Sequence, residues 1–497
     1  MYPRFGIKVG NSTLCISTVK SSTATKPEVI ANKQGDRVSQ ACAFIEKTEH
    51  GNEFECGLTA KQKMASKPNQ TIANSFQLLL PKEFVEKQEV AVLHRVPANF
   101  NSESDKFEVK SSRNSDEEEA FEIGAVEVLT QLLKSECELA KQQHLEDAER
   151  PIVVISMPTY YPSEVSKTIK KAAEEAGFTV GQVIHETTAA ILPYSQDNDM
   201  ENKYVLCIKS GGLFTSIALY YVQNGFYSLE KTFGPFSIGG DQFTEVLIDY
   251  IAQEFFRKYK LDINESKRAR AKARTAAENC KNILTTLPNT QLYIDSLMDG
   301  VDFNVQITRA RYEMLIQPIL AEFTKILGNC AFGEIDLSHV ILLGGNMKIP
   351  VLQETIKGFF KKSKVHFNLH SPDEIAAIGC SLHSANLDGD NLNDSSEPYE
   401  GLNANLYLWH NNNVDEKKLI LPIGTPVPHI QEIEIEADKE NVSAEEQLFN
   451  LEISCVKENK TNVLPIYVKR PNLNENKFSL NVKIDKNENG LQVHLDV

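Results

Sequence analysis

Two segments of this chain repeat one pattern: an apolar strand, a glycine-bearing turn, then a second strand. The first is Gly6–Ile16 (GIKVGNSTLCI) and the second is Val205–Ser216 (VLCIKSGGLFTS). Glycine lets such a turn adopt φ > 0 and brings backbone N–H groups close to a phosphate. One such hairpin is usually only a turn. Two of them, far apart in the chain, restrict the fold to a duplicated unit gripping one nucleotide between two lobes. In both copies a lysine, Lys8 or Lys209, precedes the glycines. Phosphate chemistry assisted by a metal wants an acid there, because a cation repels Mg²⁺ and cannot accept from its bound water.

At 497 residues the chain exceeds one core, and its length predicts two or three domains. Strand and helix signals alternate through residue 387, which predicts α/β with helix-covered sheets. Phe5–Val9, Leu14–Val19 and Ala41–Ile45 read as strands, and Ile152–Met157 as a buried strand. Helical periodicity covers Val126 to about Gln142, Glu186–Tyr194, Thr244–Phe256, Ser266–Leu284, Arg309–Leu327 and Val351–Phe360. Pro162 opens another helix that runs to Gly177. Asn101–Glu119 is polar and acidic and predicts a mobile surface loop. Asp388–Gly401 is a second such break and predicts a linker. Beyond Asn403, short alternating runs such as Leu406–Trp409, Ile430–Ile435, Leu448–Cys455, Val463–Val468 and Phe478–Ile484 predict an all-β domain. The expected division is 1–387, a linker over 388–402, and a β domain over 403–497.

The net charge of −16 argues against a general nucleic-acid binder and against an electrostatic membrane anchor. The densest basic run, Arg257–Lys260 with Lys267–Arg274, reads as a solvated helix face or as a local basic patch. Nine cysteines stand singly with no C-x-x-C pair, which predicts free thiols in a reducing, cytoplasmic compartment. The segment Met1–Arg4 leads directly into a strand without a secretory apolar region, and no apolar run approaches a membrane span.

Further motifs lie between and beyond the hairpins: Val29–Arg37, Ile155–Tyr161, His185–Ala190, Ile238–Phe243, Lys267–Thr275, Ile294–Leu297, Ile307–Glu313, Leu343–Pro350 and Ser371–Glu374. With the hairpins, in this order, they resemble the heat-shock-protein-70 chaperone family of the actin-like superfamily, from about Phe5 to Leu387. The resemblance implies an actin-like two-lobed nucleotide-binding domain followed by a short all-β domain, with ATP as cofactor. The implied nucleotide-binding positions are Lys8, Gly10, Asn11, Ser12, Lys209, Gly211, Gly212, Gly240, Glu278, Lys281, Thr285, Gly344, Gly345, Lys348 and Asp373.

The chain departs from the family where hydrolysis is done. The family's two aspartates are Lys8 and Lys209. Ser216 replaces a further aspartate, Leu213 a glycine, and Phe214 a threonine. Asn11 replaces the threonine that meets the γ-phosphate, and Phe76 the catalytic lysine. Glu186 is retained and is the vestigial catalytic residue. At the base side Asn282 and Lys348 replace arginines, and lysine lacks the planar stacking face. The lysines could neutralise ATP phosphates without Mg²⁺, pair with Glu186 and hold the lobes shut, or point into solvent.

The tail predicts a polar linker, a shortened β domain and no helical lid. This resembles the atypical, lidless branch of the family, which includes the member of the ribosome-associated complex. The expected function is a co-chaperone that binds ATP with little or no hydrolysis. Its implied partners are a J-domain protein, an orthodox heat-shock-70 chaperone, and ribosomes and nascent chains, whether met directly or not; membranes and sequence-specific nucleic acid are not expected. The competing readings are an ATP-hydrolysing foldase and a holdase that binds unfolded protein through the β tail. The strands Val463–Val468 and Phe478–Ile484 are the expected docking edges of that tail.

Overall fold

A computed structural model describes residues 4–20, 26–49, 51–80, 100–101, 106–114, 117–143, 150–195, 198, 200, 202–223, 226–330, 332, 335–367, 369–386, 400–401, 405–410, 417–421, 426–427, 429–436, 446–455, 460–469, 477–487 and 490–496. The expected linker lies almost entirely outside these residues.

The duplication extends to whole sheets. In the first lobe the strand Arg4–Val9 pairs antiparallel with Thr13–Val19 and parallel with Ile152–Met157. Thr179–His185 continues the sheet beside Ile152–Met157, and Glu28–Val29 lies on the other side. In the second lobe Lys203–Ser210 pairs antiparallel with Thr215–Gln223 and parallel with Leu337–Leu343. Lys364–His366 and Phe226–Phe236 complete the same order. The central strands are apolar on both faces because helices cover both, as expected of parallel pairing. The lobes have separate cores, one around Phe5, Ile155 and Phe178, the other around Ile208, Phe243 and Phe323.

Two helices, Glu186–Ser195 and Ile375–Asn386, cross in contact between the sheets. Gly379 makes that crossing possible, since a Cβ there would fall 1.7 Å from the carbonyl oxygen of Ala189. Any larger residue would push the helices apart.

Two expected secondary structures fail. Residues Lys106–Asn114 and Glu117–Gly124, expected within or beside a mobile loop, form an antiparallel hairpin with Phe107 opposite Ile123. Phe107, Val109 and Ile123 are buried in the first core. Their alternation with charged residues is a strand pattern, hidden by the acidic composition around it. The helix expected over Arg309–Leu327 is two helices, Arg309–Leu315 and Gln317–Asn329. Pro318 has no N–H, and its ring blocks continuation, so the second helix restarts around it.

The C-terminal strands build a four-stranded sheet ordered Lys418–Leu421, Asn405–His410, Glu446–Cys455, Lys460–Lys469. A three-stranded sheet is ordered His429–Glu436, Lys477–Asn487, Gly490–Asp496. Among the described residues Lys460–Lys469 is therefore an edge. Lys477–Asn487 is central in its sheet, and its Asn481–Ile484 part is paired on both sides, so of the expected docking edge Phe478–Ile484 only Phe478–Leu480 lacks a second paired neighbour among the described residues.

Glu136, in the helix Ala125–Lys141, is buried with its Oε2 unpartnered. Burial raises its carboxyl to about 7, against a smaller opposing effect of a hydrogen bond with Ser39. A carboxyl raised on folding favours the folded state while protonated, and that advantage is lost as pH climbs from the unfolded value toward 7. Glu136→Gln is expected to stabilise the protein at pH 8 by up to ~3 kcal/mol while changing little at pH 4. Equal shifts in denaturation midpoint at both pH values would refute this.

Candidate functional site

The two hairpins face each other across a cleft of about 660 Å³, within the range typical of small-molecule sites. Its walls include all sixteen positions that the resemblance implied, Glu186 among them. Each hairpin places its lysine by strand register: Lys8 lies opposite Cys15, and Lys209 opposite Ser216. Both lysines are only 8% exposed, which excludes the solvent-facing reading.

The lysines do different things. Lys209 Nζ lies 2.6 Å from Glu186 Oε1, an ion pair that approaches outside hydrogen-bonding angles. Its ammonium also lies 5.8 Å from the ring centre of Tyr160, on the cation–π side of that ring. Glu186 opens the helix Glu186–Ser195, where the helix dipole favours an acid. Lys8 does not reach Glu186. It folds back on its own hairpin and donates to Thr13 Oγ1 at 2.8 Å and to the Thr13 carbonyl at 3.2 Å. Burial, and then the neighbouring Lys209, lower its pKa.

At the turns the lobes touch. Ser12 packs so closely on Gly212 that a Cβ there would fall 1.9 Å from the Ser12 Oγ. Asn11 accepts through Oδ1 from the backbone N–H of Gln77 at 2.7 Å, so this side of its amide serves the first lobe's wall. Phe76 is buried and stacks on Tyr161 with centroids 5.1 Å apart, and the Tyr161 hydroxyl donates to the Phe76 carbonyl. An aromatic wall thus stands where a charged donor was expected.

The base side is also paired. Lys348 meets Asp373 at 2.6 Å, and Lys61 meets Glu278 at 2.7 Å. Arg274 meets Asp241 at 2.6 Å. Lys281 donates to the Gly240 carbonyl and to Thr244 Oγ1. Burial lowers Lys281 to about 8, with Glu278 opposing the shift. For Glu278 burial acts upward, but Lys61, Lys281 and Arg274 outweigh it and leave the carboxyl below its ordinary value. Asp373 is likewise held low, chiefly by Lys348 against burial.

Six cationic side chains line the cleft (Lys8, Lys61, Lys209, Arg274, Lys281, Lys348) against four carboxylates (Glu186, Asp241, Glu278, Asp373). Each of these carboxylates contacts one of these cations. Among the described residues no cluster of three or more His, Cys, Asp or Glu side chains could hold a metal. The donor set suits an anion, and it does not suit Mg²⁺.

Sequence reasoning did not single out Lys61, which carries no local signal, because its partner Glu278 is reached only through the tertiary fold. It read the basic run of the helix Lys267–Leu284 as a solvated face or a basic patch. Arg270 and Arg274 instead turn to Glu245 and Asp241. Among the described residues no helix is long and apolar enough to cross a membrane.

Comparison with known proteins shows the family. The family model described as Hsp70 protein matches residues 4–396. The chain is 29% identical over 508 residues to heat shock 70 kDa protein 14 of Bos taurus, covering 98% of this chain and 92% of the relative. It is 30% identical to the protein of that name from Pongo abelii, with 85% and 82% covered. Heat shock 70 kDa protein 14-B of Xenopus laevis is 29% identical, again with 85% and 82% covered.

Proposed function

The chain belongs to the Hsp70 family, whose members are chaperones that bind nucleotide and work with J-domain proteins, and from that premise we propose that it is a co-chaperone that holds ATP without turning it over. The observation that carries this reading is the charge of the cleft. Every lining carboxylate is engaged by a cation, and the balance is positive in a chain of net charge −16. The residues that would hold the nucleotide are the glycines Gly10, Gly211, Gly212, Gly240, Gly344 and Gly345, through backbone N–H groups, with Lys8 and Lys209 at the phosphates. Glu278, Lys281, Thr285, Lys348 and Asp373 are the proposed base and ribose side.

Lysine charge standing in for a metal makes binding independent of Mg²⁺. Calorimetry with ATP is expected to give the same affinity, within about threefold, in EDTA and in Mg²⁺. A strict Mg²⁺ requirement would refute the role assigned to the lysines. Absence of binding in both buffers would leave the cleft purely structural.

The proposed docking module for a J-domain partner is the β domain, taken as residues 403–497 after a linker over 388–402. The edge strand Lys460–Lys469 supports it, since an edge supplies unpaired main-chain groups to a protein partner. Removal of 403–497 is expected to abolish co-purification of that partner. Retention of the partner would move the contact to the nucleotide-binding lobes.

A further inference from the structure

The tip of the second hairpin belongs to the second lobe by its backbone and to the first lobe by its side chains. Gly211 and Gly212 accept from the backbone N–H groups of Gly240 and Asp241, which ties the turn to the helix Gly240–Tyr259. Leu213 and Phe214 follow directly. Each is only 6% exposed, and both lie in the apolar core of the first lobe with Tyr160, Tyr161 and Phe76. No other residue of the second lobe belongs to that cluster among the described residues. The Phe214 ring meets Tyr160 edge-on at 6.2 Å, and Tyr160 in turn meets Tyr161 at 5.2 Å.

We infer that Leu213 and Phe214 form an apolar bolt that keeps the lobes closed whatever the cleft contains. This inference rests on the reading of the cleft as a nucleotide site and concerns how that site is regulated. A polar hinge lets lobes part at small cost, since water replaces each contact made across it. Parting these lobes exposes two large apolar side chains and the aromatic wall that receives them. The Ser12–Gly212 contact adjoins the bolt in the chain, and Tyr160 meets both the Phe214 ring and the Lys209 ammonium of the Lys209–Glu186 pair. A bound nucleotide then meets a cleft already closed without it, so its preference for the closed state has no open population to shift and drives no conformational switch.

Hydrogen exchange of the full-length protein tests this, read at the amides of 213–217 and 155–161, clear of the glycine N–H groups assigned to the nucleotide, without nucleotide and with ATP in EDTA. Wild type is expected to be equally protected in both conditions. The double variant Leu213→Gly, Phe214→Thr is expected to exchange about tenfold or more faster without nucleotide, and ATP is expected to restore protection. Phe214→Leu keeps the apolar burial and is expected to behave as wild type; it serves if the double variant does not fold. Nucleotide-dependent protection in wild type would overturn the bolt. So would fast exchange in Phe214→Leu with protection unchanged in the double variant. Calorimetry on the same samples separates the two readings. If ATP does not bind at all, the proposed nucleotide function fails, while the comparison of nucleotide-free proteins still decides the bolt.

Discussion

Purified protein is expected to release phosphate from ATP no faster than background, with or without a J-domain protein. The groups that would place the metal, the phosphates and the attacking water are missing together, and their replacements are already engaged. Lys8 is held by Thr13, Lys209 lies against Glu186, and Phe76 is stacked into the first lobe's wall. Loss of several preorganised polar groups costs on the order of 10³-fold or more in rate, and groups that act as a unit do not fail additively. Lys8→Asp alone is therefore expected to recover nothing. Turnover that is stimulated by a J-domain protein and disappears in Glu186→Ala would refute this reading.

Loss of the Lys209 charge is expected to destabilise the lobes by about 3 kcal/mol or more. The side chains of Lys209 and Glu186 are only 10% and 2% exposed. Lys209→Met leaves the Glu186 side chain with no cation at its Oε1 and little access to water. The double variant Lys209→Met, Glu186→Gln removes both charges and is expected to recover most of the loss, since replacing both members of a buried pair is often neutral. Urea denaturation of the three proteins measures it. A single variant within about 0.5 kcal/mol of wild type would show that the pair contributes no more than an exposed one.

Much of this protein is legible in its sequence. The two glycine hairpins, the alternation of strand and helix, and the order of the motifs point to two nucleotide-binding lobes, because strand period and glycine turns act over a few residues. The same local reasoning misjudged Lys106–Asn114, whose buried Phe107 and Val109 sit among charges. It misjudged the Asn481–Ile484 part of Phe478–Ile484, which is paired on both sides, because strand order is not written in any one strand.

The positions of Lys8 and Lys209 were readable, but their partners were not. Both lysines precede a glycine turn, yet one closes on Thr13 five residues away and the other on Glu186, which opens the helix lying between the sheets. Lys61 and Glu278, and Lys348 and Asp373, likewise meet only when distant elements converge. The sequence alone determined which residue types reach the cleft, and with them the loss of its acids. The tertiary structure alone decided that each remaining acid is matched by a cation, and that Leu213 and Phe214 are buried in the lobe they do not belong to. Local pattern sets the direction in which a side chain leaves its strand, whereas its partner is set by the packing of elements far apart in the chain.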